Sequence, residues 1–204
     1  MKLRQTLFIL AALGAAGAAH AAGIGVRAGT TGIGADVAWS IAPTLSARIG
    51  YSALDWNRDV STDRVSYDGK LKLSNLNTFL DLHPLGPLFR VTGGLIFNDN
   101  RYDVHGDLQG GSVSGNVKPG RSAAPYLGIG WGDVSGAGVN FYADLGIMFQ
   151  GSPRAHLNAD CAGLSASACS SLQSQVAAEQ QRLEDKLKDF KYYPVANIGI
   201  TIGF

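Results

Sequence analysis

The sequence predicts an all-β protein, an antiparallel eight-stranded transmembrane up-and-down β-barrel with one helix in its last long loop. Three observations carry that expectation. The N-terminus has the layout of an export signal, segments of about ten residues alternate apolar and polar side chains, and the connections between them are alternately short and long.

The chain opens MKLRQ, continues TLFILAALGAAGAA and reaches Ala19-His20-Ala21. A basic start, a short apolar run and a small-x-small site are the parts of a secretory signal peptide. Residues 1–21 are therefore expected to be removed, leaving 22–204 as one domain. Charge is balanced, Lys+Arg 17 against Asp+Glu 16, so no basic field points to nucleic acid. Gly 27 with an ordinary Pro 7 suits strands rather than disorder. No later segment offers the long apolar run a membrane helix needs.

The first strand spans about 23–30, with Ile24, Val26 and Ala28 on its apolar face. From Ile33 the apolar residues fall on odd positions, through Ala35, Val37, Trp39 and Ile41. A switch of phase at Thr30-Thr31-Gly32 is expected of either a tight hairpin or a bulge in one long strand, and the hairpin makes the strand count eight. Further strands are expected at about 45–56, 67–83, 88–103, 121–132, 139–156 and 192–204. Short turns at Ala42-Pro43-Thr44, Pro84 to Pro87 and Asp133 to Gly138 oppose long polar loops at about 57–66, 104–120 and 157–189. Short turns at one end and long loops at the other distinguish an outer-membrane barrel from a soluble sandwich.

Aromatic residues give a second criterion. Trp39, Phe89, Trp131, Phe141 and Phe204 share the apolar face near the short turns or the C-terminus, as one interfacial girdle would. Trp56, Phe97, Phe149 and Tyr192 or Tyr193 are candidates for the other.

On the opposite, inward phase lie Arg27, Asp36, Arg48, Asp81, His83, Arg90 and Asp144. An eight-stranded barrel has room inside only for side chains, so these are expected to pair as a polar plug rather than line a path. Cys161 and Cys169 are the only cysteines, and in an exported chain they predict a small disulfide loop. Two thiolates alone make a poor metal site. Ser170 to Phe190 carries Leu172, Val176, Leu183, Leu187 and Phe190 at helical spacing, with Glu184 to Lys188 as an i,i+4 pair. The helical insertion is placed at about 165–190.

The motifs resemble those of small proteobacterial outer-membrane barrels of the OmpA-transmembrane, OmpX and OmpW style. More closely, AGTTGIGADVAW, LDLHPLG, GGLIFNDN, APYLGIGWG, LGIMFQGSP and LKDFKYYPV are similar to blocks shared within one family of such proteins. Ile200, Ile202 and Phe204 resemble the C-terminal signal read by the outer-membrane assembly machinery. The resemblance implies that machinery as a partner, together with outer-membrane lipid and lipopolysaccharide.

No cofactor, metal or catalytic motif is expected. The Gly29 to Gly34 and Gly128 to Gly130 runs open no helix and lack GK[ST], so they read as strand glycines. His105 and His156 lie near serines in sequence but define no nucleophilic group. The expected function is a monomeric, non-enzymatic outer-membrane barrel acting as a structural or surface-interaction protein. The alternative is a narrow porin-like conduit for small or apolar solutes, and a lipid-modifying enzyme ranks third.

Overall fold

The computed structural model describes residues 21–62, 65–108 and 111–204. The signal peptide expected over 1–21 lies almost wholly outside them.

Among the described residues eleven strands form one antiparallel system. They are β1 (Ala22–Gly29), β2 (Gly32–Ala42), β3 (Leu45–Thr62), β4 (Val65–Leu82), β5 (Phe89–Asn98), β6 (Arg101–Leu108), β7 (Gly111–Lys118), β8 (Ala123–Trp131), β9 (Gly138–Met148), β10 (Arg154–Asp160) and β11 (Tyr193–Gly203). Among the described residues one helix, α1 (Ala166–Leu187), precedes β11. Eight of the strands, in the order β1-β2-β3-β4-β5-β8-β9-β11, close a barrel because β1 pairs with both β2 and β11. Closure removes the unpaired edges that an open sheet would leave.

The phase switch near Thr30 is a hairpin. Gly29 faces Gly32 across it, and Gly32 takes φ +105, a conformation open to glycine at little cost. The first strand is therefore separate, and the count of eight holds.

The predicted long loops are the main departure. Where the expected loops 57–66 and 104–120 are described, they are mostly strand: β3 and β4 run on beyond the barrel to Thr62 and from Val65, and β6 and β7 pair with each other as far as Lys118. The strands expected at 88–103 and 139–156 each break, at 99–100 and 149–153, whereas the strand expected at 121–132 is the continuous β8, parted from β7 at 119–122. Beyond the breaks, distal β3 and β4 continue through β6, β7 and β10 as a second sheet. The β4 ladder survives the first break through a substitution of side chain for backbone. Asp99 N–H donates to Ser74 O at 2.8 Å, and Ser74 N–H donates to Asn100 Oδ1 at 3.0 Å. This upper sheet stands on one side of the barrel mouth as a raised platform.

Helix α1 starts at Ser165, whose hydroxyl accepts from Ala168 N–H, and it ends before the expected Phe190. The Cys161–Cys169 disulfide ties the end of β10 to its first turn. The helix packs on β10, with Val176 as its buried anchor.

Candidate functional site

Small inward residues make the lumen. Glycines stand opposite its bulky side chains: a Cβ on Gly130 would lie 2.5 Å from Arg90 Nε, and one on Gly146 would lie 2.5 Å from the Tyr126 hydroxyl. That space is what lets an interior this narrow accept guanidinium and phenol groups.

Six of the seven inward ionisable residues predicted from sequence meet there. Arg48 Nη1 donates to Asp144 Oδ2 at 2.7 Å, and its Nε lies 3.2 Å from Asp81 Oδ2. Arg90 Nη2 donates to Asp144 Oδ1 at 2.6 Å, and its Nε lies 3.6 Å from Asp81 Oδ1. Each carboxylate thus faces both guanidinium groups, and all four side chains are essentially excluded from solvent. Thr92 donates its hydroxyl to Asp81, and Arg90 donates to the Gly132 carbonyl. A second cluster adjoins it. Arg27 pairs with Asp36 at 3.1 Å and donates to Asn77, while Tyr142 donates its hydroxyl to Asp36 Oδ2 at 2.6 Å. The Tyr142 ring also lies beneath Arg48 and Arg90, at 5.5 and 5.4 Å from the guanidinium carbons. Arginines 27, 48 and 90 against aspartates 36, 81 and 144 leave the interior without net charge. Buried charges are tolerated on those terms.

His83 is the exception. It is buried beside the short turn, where its backbone N–H donates to Thr44 O, but among the described residues no hydrogen bond or ion pair joins its imidazole to the network. It follows the last residue of β4, so it has left the inward ladder.

Both ends of the column are filled. Toward the long-loop end, Phe79, Ile96, Tyr126, Met148 and Val195 form an apolar layer, with Phe79 and Tyr126 stacked at 4.7 Å. Thr31, at the β1–β2 turn, is tucked inside, where its carbonyl accepts from Ser52 and Asn75. At the short-turn end the connection between β8 and β9 folds inward. Asp133 Oδ1 accepts from Ser135 N–H and Gly136 N–H, which turns Val134 into the barrel beside Ala38 and Tyr142. In sequence this is an ordinary short turn. Its inward course depends on contacts with Gly23 and Gly203, which have no local signal.

The outer wall carries the expected apolar residues. Ile200, Ile202 and Phe204 face outward, as do Trp39, Trp131 and Phe141, and Phe89 packs edge-on against Trp131 at 6.1 Å. At the other end Phe97 is exposed and Phe149 meets Tyr192 at 5.6 Å. Tyr193 instead turns inward onto the apolar layer and donates to Thr30 O. Trp56 is not on the outer wall: its register partner is Leu71, which shares the inward phase of Leu73 and Asn75.

Trp56 reveals a change along the strands. The β3–β4 register is unbroken from Leu45↔Leu82 to Thr62↔Val65, so each face can be followed throughout. Within the barrel the outward residues of β4 are Leu82, Leu80 and Leu76, and the inward ones Asp81, Asn77 and Asn75. Beyond Ser74 the outward residues become Lys72 and Lys70, and the inward ones Leu73 and Leu71. Polarity inverts on a continuous strand. The platform thus carries polar side chains on its outward face and apolar ones on its inward face, which α1 partly covers.

The helix also closes an edge. β10 has β7 on one side only, and its free N–H groups are met by side chains of α1. Ala155 N–H donates to Glu184 Oε1 at 3.3 Å and Leu157 N–H to Gln180 Oε1 at 3.0 Å. Four residues of helix rise about 6 Å and two of strand about 6.6 Å, so the spacings match. The i,i+4 pair expected between Glu184 and Lys188 is replaced: Lys188 reaches Asp185 at 4.0 Å. Gln180→Ala with Glu184→Ala should leave both amides without acceptors. Hydrogen exchange at Ala155 and Leu157 is expected to accelerate by at least about tenfold while exchange in β9 and β11 is unchanged. Unchanged exchange at both would show that the helix does not guard this edge. Between α1 and the platform runs a groove of about 500 Å³, lined by Val104, Val113, Leu157, Leu172, Val176 and Arg182.

Among the described residues no group of three or more His, Cys, Asp or Glu is arranged to hold a metal ion.

No protein-family model matches the chain, and no curated protein matches it. It is similar to two crystal structures from Acinetobacter baumannii, CarO2 and CarO. Both are 21% identical with a TM-score of 0.61, the first covering 90% of this chain and 98% of CarO2, the second 89% and 97% of CarO. It is more distantly similar to a major outer membrane protein from Thermus thermophilus, at 16% identity and TM-score 0.43 over 91% of this chain and 100% of that one. At 21% identity the likeness to CarO and CarO2 bears on the fold alone.

Proposed function

We propose that the chain is a bacterial outer-membrane protein whose barrel is a sealed anchor and whose working surface is the platform of distal β3 and β4, β6, β7, β10 and α1. The inversion of polarity along β4 carries this reading. A wall that presents Leu76, Leu80 and Leu82 outward suits lipid, and the same wall presenting Lys70 and Lys72 further along suits water. Large exposed apolar areas on a soluble monomer would instead be an aggregation hazard.

The interior supports an anchor over a conduit. The ion-paired quartet, the apolar layer and the inturned Val134 stand in series along the axis. A solute would have to separate buried charges that lose their compensation when parted. What the barrel offers its surroundings is therefore its outer surface and its platform, a structural and interaction role without chemistry of its own. Ile200, Ile202 and Phe204, exposed on the closing strand, are the segment we assign to recognition by the assembly machinery.

Planar-bilayer recording on the refolded chain tests the reading. The expected result is a closed baseline at all voltages that leave the bilayer intact. Discrete, reproducible openings that change size in an Arg48 or Asp144 variant would overturn it in favour of a porin-like path.

A further inference from the structure

On the outward side of the platform the register gathers cations into one transverse row. Lys72 of β4 is the partner of Arg101 of β6, and Lys118 of β7 is the partner of Arg154 of β10. Tyr102 pairs with Val117, which brings Arg101 and Lys118 together at the same end of the β6–β7 ladder. All four lie on the face that carries Leu76 and Leu80 lower on β4, just past the point where its polarity inverts. Like charges directly opposite on neighbouring strands destabilise a sheet. Here two such pairs stand side by side.

Local carboxylates compensate only part of the row. Arg101 Nε is held by Asp103 at 2.8 Å, and Asp55 is the register partner of Lys72. Among the described residues Lys72, Lys118 and Arg154 make no ion pair. Lys72, Lys118 and Arg154 are exposed, and α1 lies on the other side of the sheet, so nothing in the described chain covers them.

We propose that this row binds the phosphate groups of the glycolipid surrounding the barrel. The inference rests on the membrane reading given above and adds the site and its ligand. The occupant follows from charge and from position: four cations call for an anion, and they sit where the apolar wall ends, at the level of lipid headgroups. Basic side chains next to a membrane surface attract anionic headgroups, and the attraction is screened by salt.

The test uses the full mature chain refolded into phosphatidylcholine nanodiscs doped with bisphosphorylated lipid A or with its dephosphorylated form. Native mass spectrometry then counts retained glycolipid. The wild-type chain is expected to retain the bisphosphorylated form preferentially. Lys72→Ala, Lys118→Ala and Arg154→Ala combined should reduce that preference on the order of a hundredfold at low salt. These exposed residues carry little folding energy, and heat-modifiable gel mobility would verify that the variant folds. Equal retention of both lipids by the wild type, or an undiminished preference in the variant, would overturn the proposal. Loss of lipid A on adding millimolar inorganic phosphate would also overturn it, in favour of a soluble anion site. Failure of the wild-type chain to enter nanodiscs at all would overturn the membrane reading, a result distinct from insertion without preference.

Discussion

Arg48→Ala is expected to lower the free energy of unfolding by about 3–5 kcal/mol, the cost of leaving a buried ionic network short of one partner. Arg48 is the only described residue that joins Asp81, Asp144 and the rings of Phe79 and Tyr142, and its side chain is 0% exposed. Without it, two carboxylates face Arg90 alone, and water can reach them only by opening the apolar layer or displacing the Val134 turn. Denaturant titration of the refolded chain, comparing midpoints at constant slope, measures the loss. Two comparisons separate charge from packing. Arg101→Ala breaks a half-exposed pair with Asp103 and should cost under about 1 kcal/mol. Arg48→Met together with Asp144→Leu removes one charge of each sign and should recover much of the single-variant loss, because balanced apolar replacement of buried ions is tolerated. A cost near that of Arg101→Ala would show that the quartet contributes no more than a surface pair.

The ion-paired interior is legible in the sequence because alternation is a local property. Arg27, Asp36, Arg48, Asp81, Arg90 and Asp144 each sit between apolar neighbours on a strand of period two, so their inward direction can be read one strand at a time. Which arginine meets which aspartate cannot, since Arg48 and Asp144 are 96 positions apart and their meeting depends on barrel closure. His83 departs from the expectation because the alternation ends with β4, one residue before it. The platform escapes for a different reason. Residues 101–118 also alternate, but their glycines, serines and asparagines weaken the apolar phase, and the polarity on each face is opposite to that of the barrel. A pattern that reverses sign within a strand reads as the end of the strand. Lys70-Leu71-Lys72-Leu73 against Leu80-Asp81-Leu82 holds the clue, and without that reversal Trp56 falls on the wrong face. The Val134 turn leaves no sequence signal beyond an Asp-x-Ser-Gly turn.

That reversal sets up the second large effect. Ile198→Arg, in the middle of β11, is expected to destabilise the chain in lipid bilayers by about 2–4 kcal/mol, the cost of a cation near the bilayer midplane on the outer wall of a barrel. In the structure Ile198 is 68% exposed and makes no core contact, so in water the same change would be an ordinary surface substitution worth within about 0.5 kcal/mol. The two environments thus predict different results for one variant. Ser114→Arg supplies the matched control: it is exposed on the outward face of β7, beyond the inversion, next to His105 in the register. It should alter stability by no more than about 0.5 kcal/mol in the same bilayers. Both arginines extend from the same side of one continuous sheet system and differ chiefly in their height along the strands. If Ile198→Arg proved as mild as Ser114→Arg, the outer wall would not be facing hydrocarbon. Leu76, Leu80 and Leu82 would then need some other apolar cover. A large cost at Ile198 with none at Ser114 would locate the hydrocarbon boundary between those two levels, where β4 exchanges leucine for lysine.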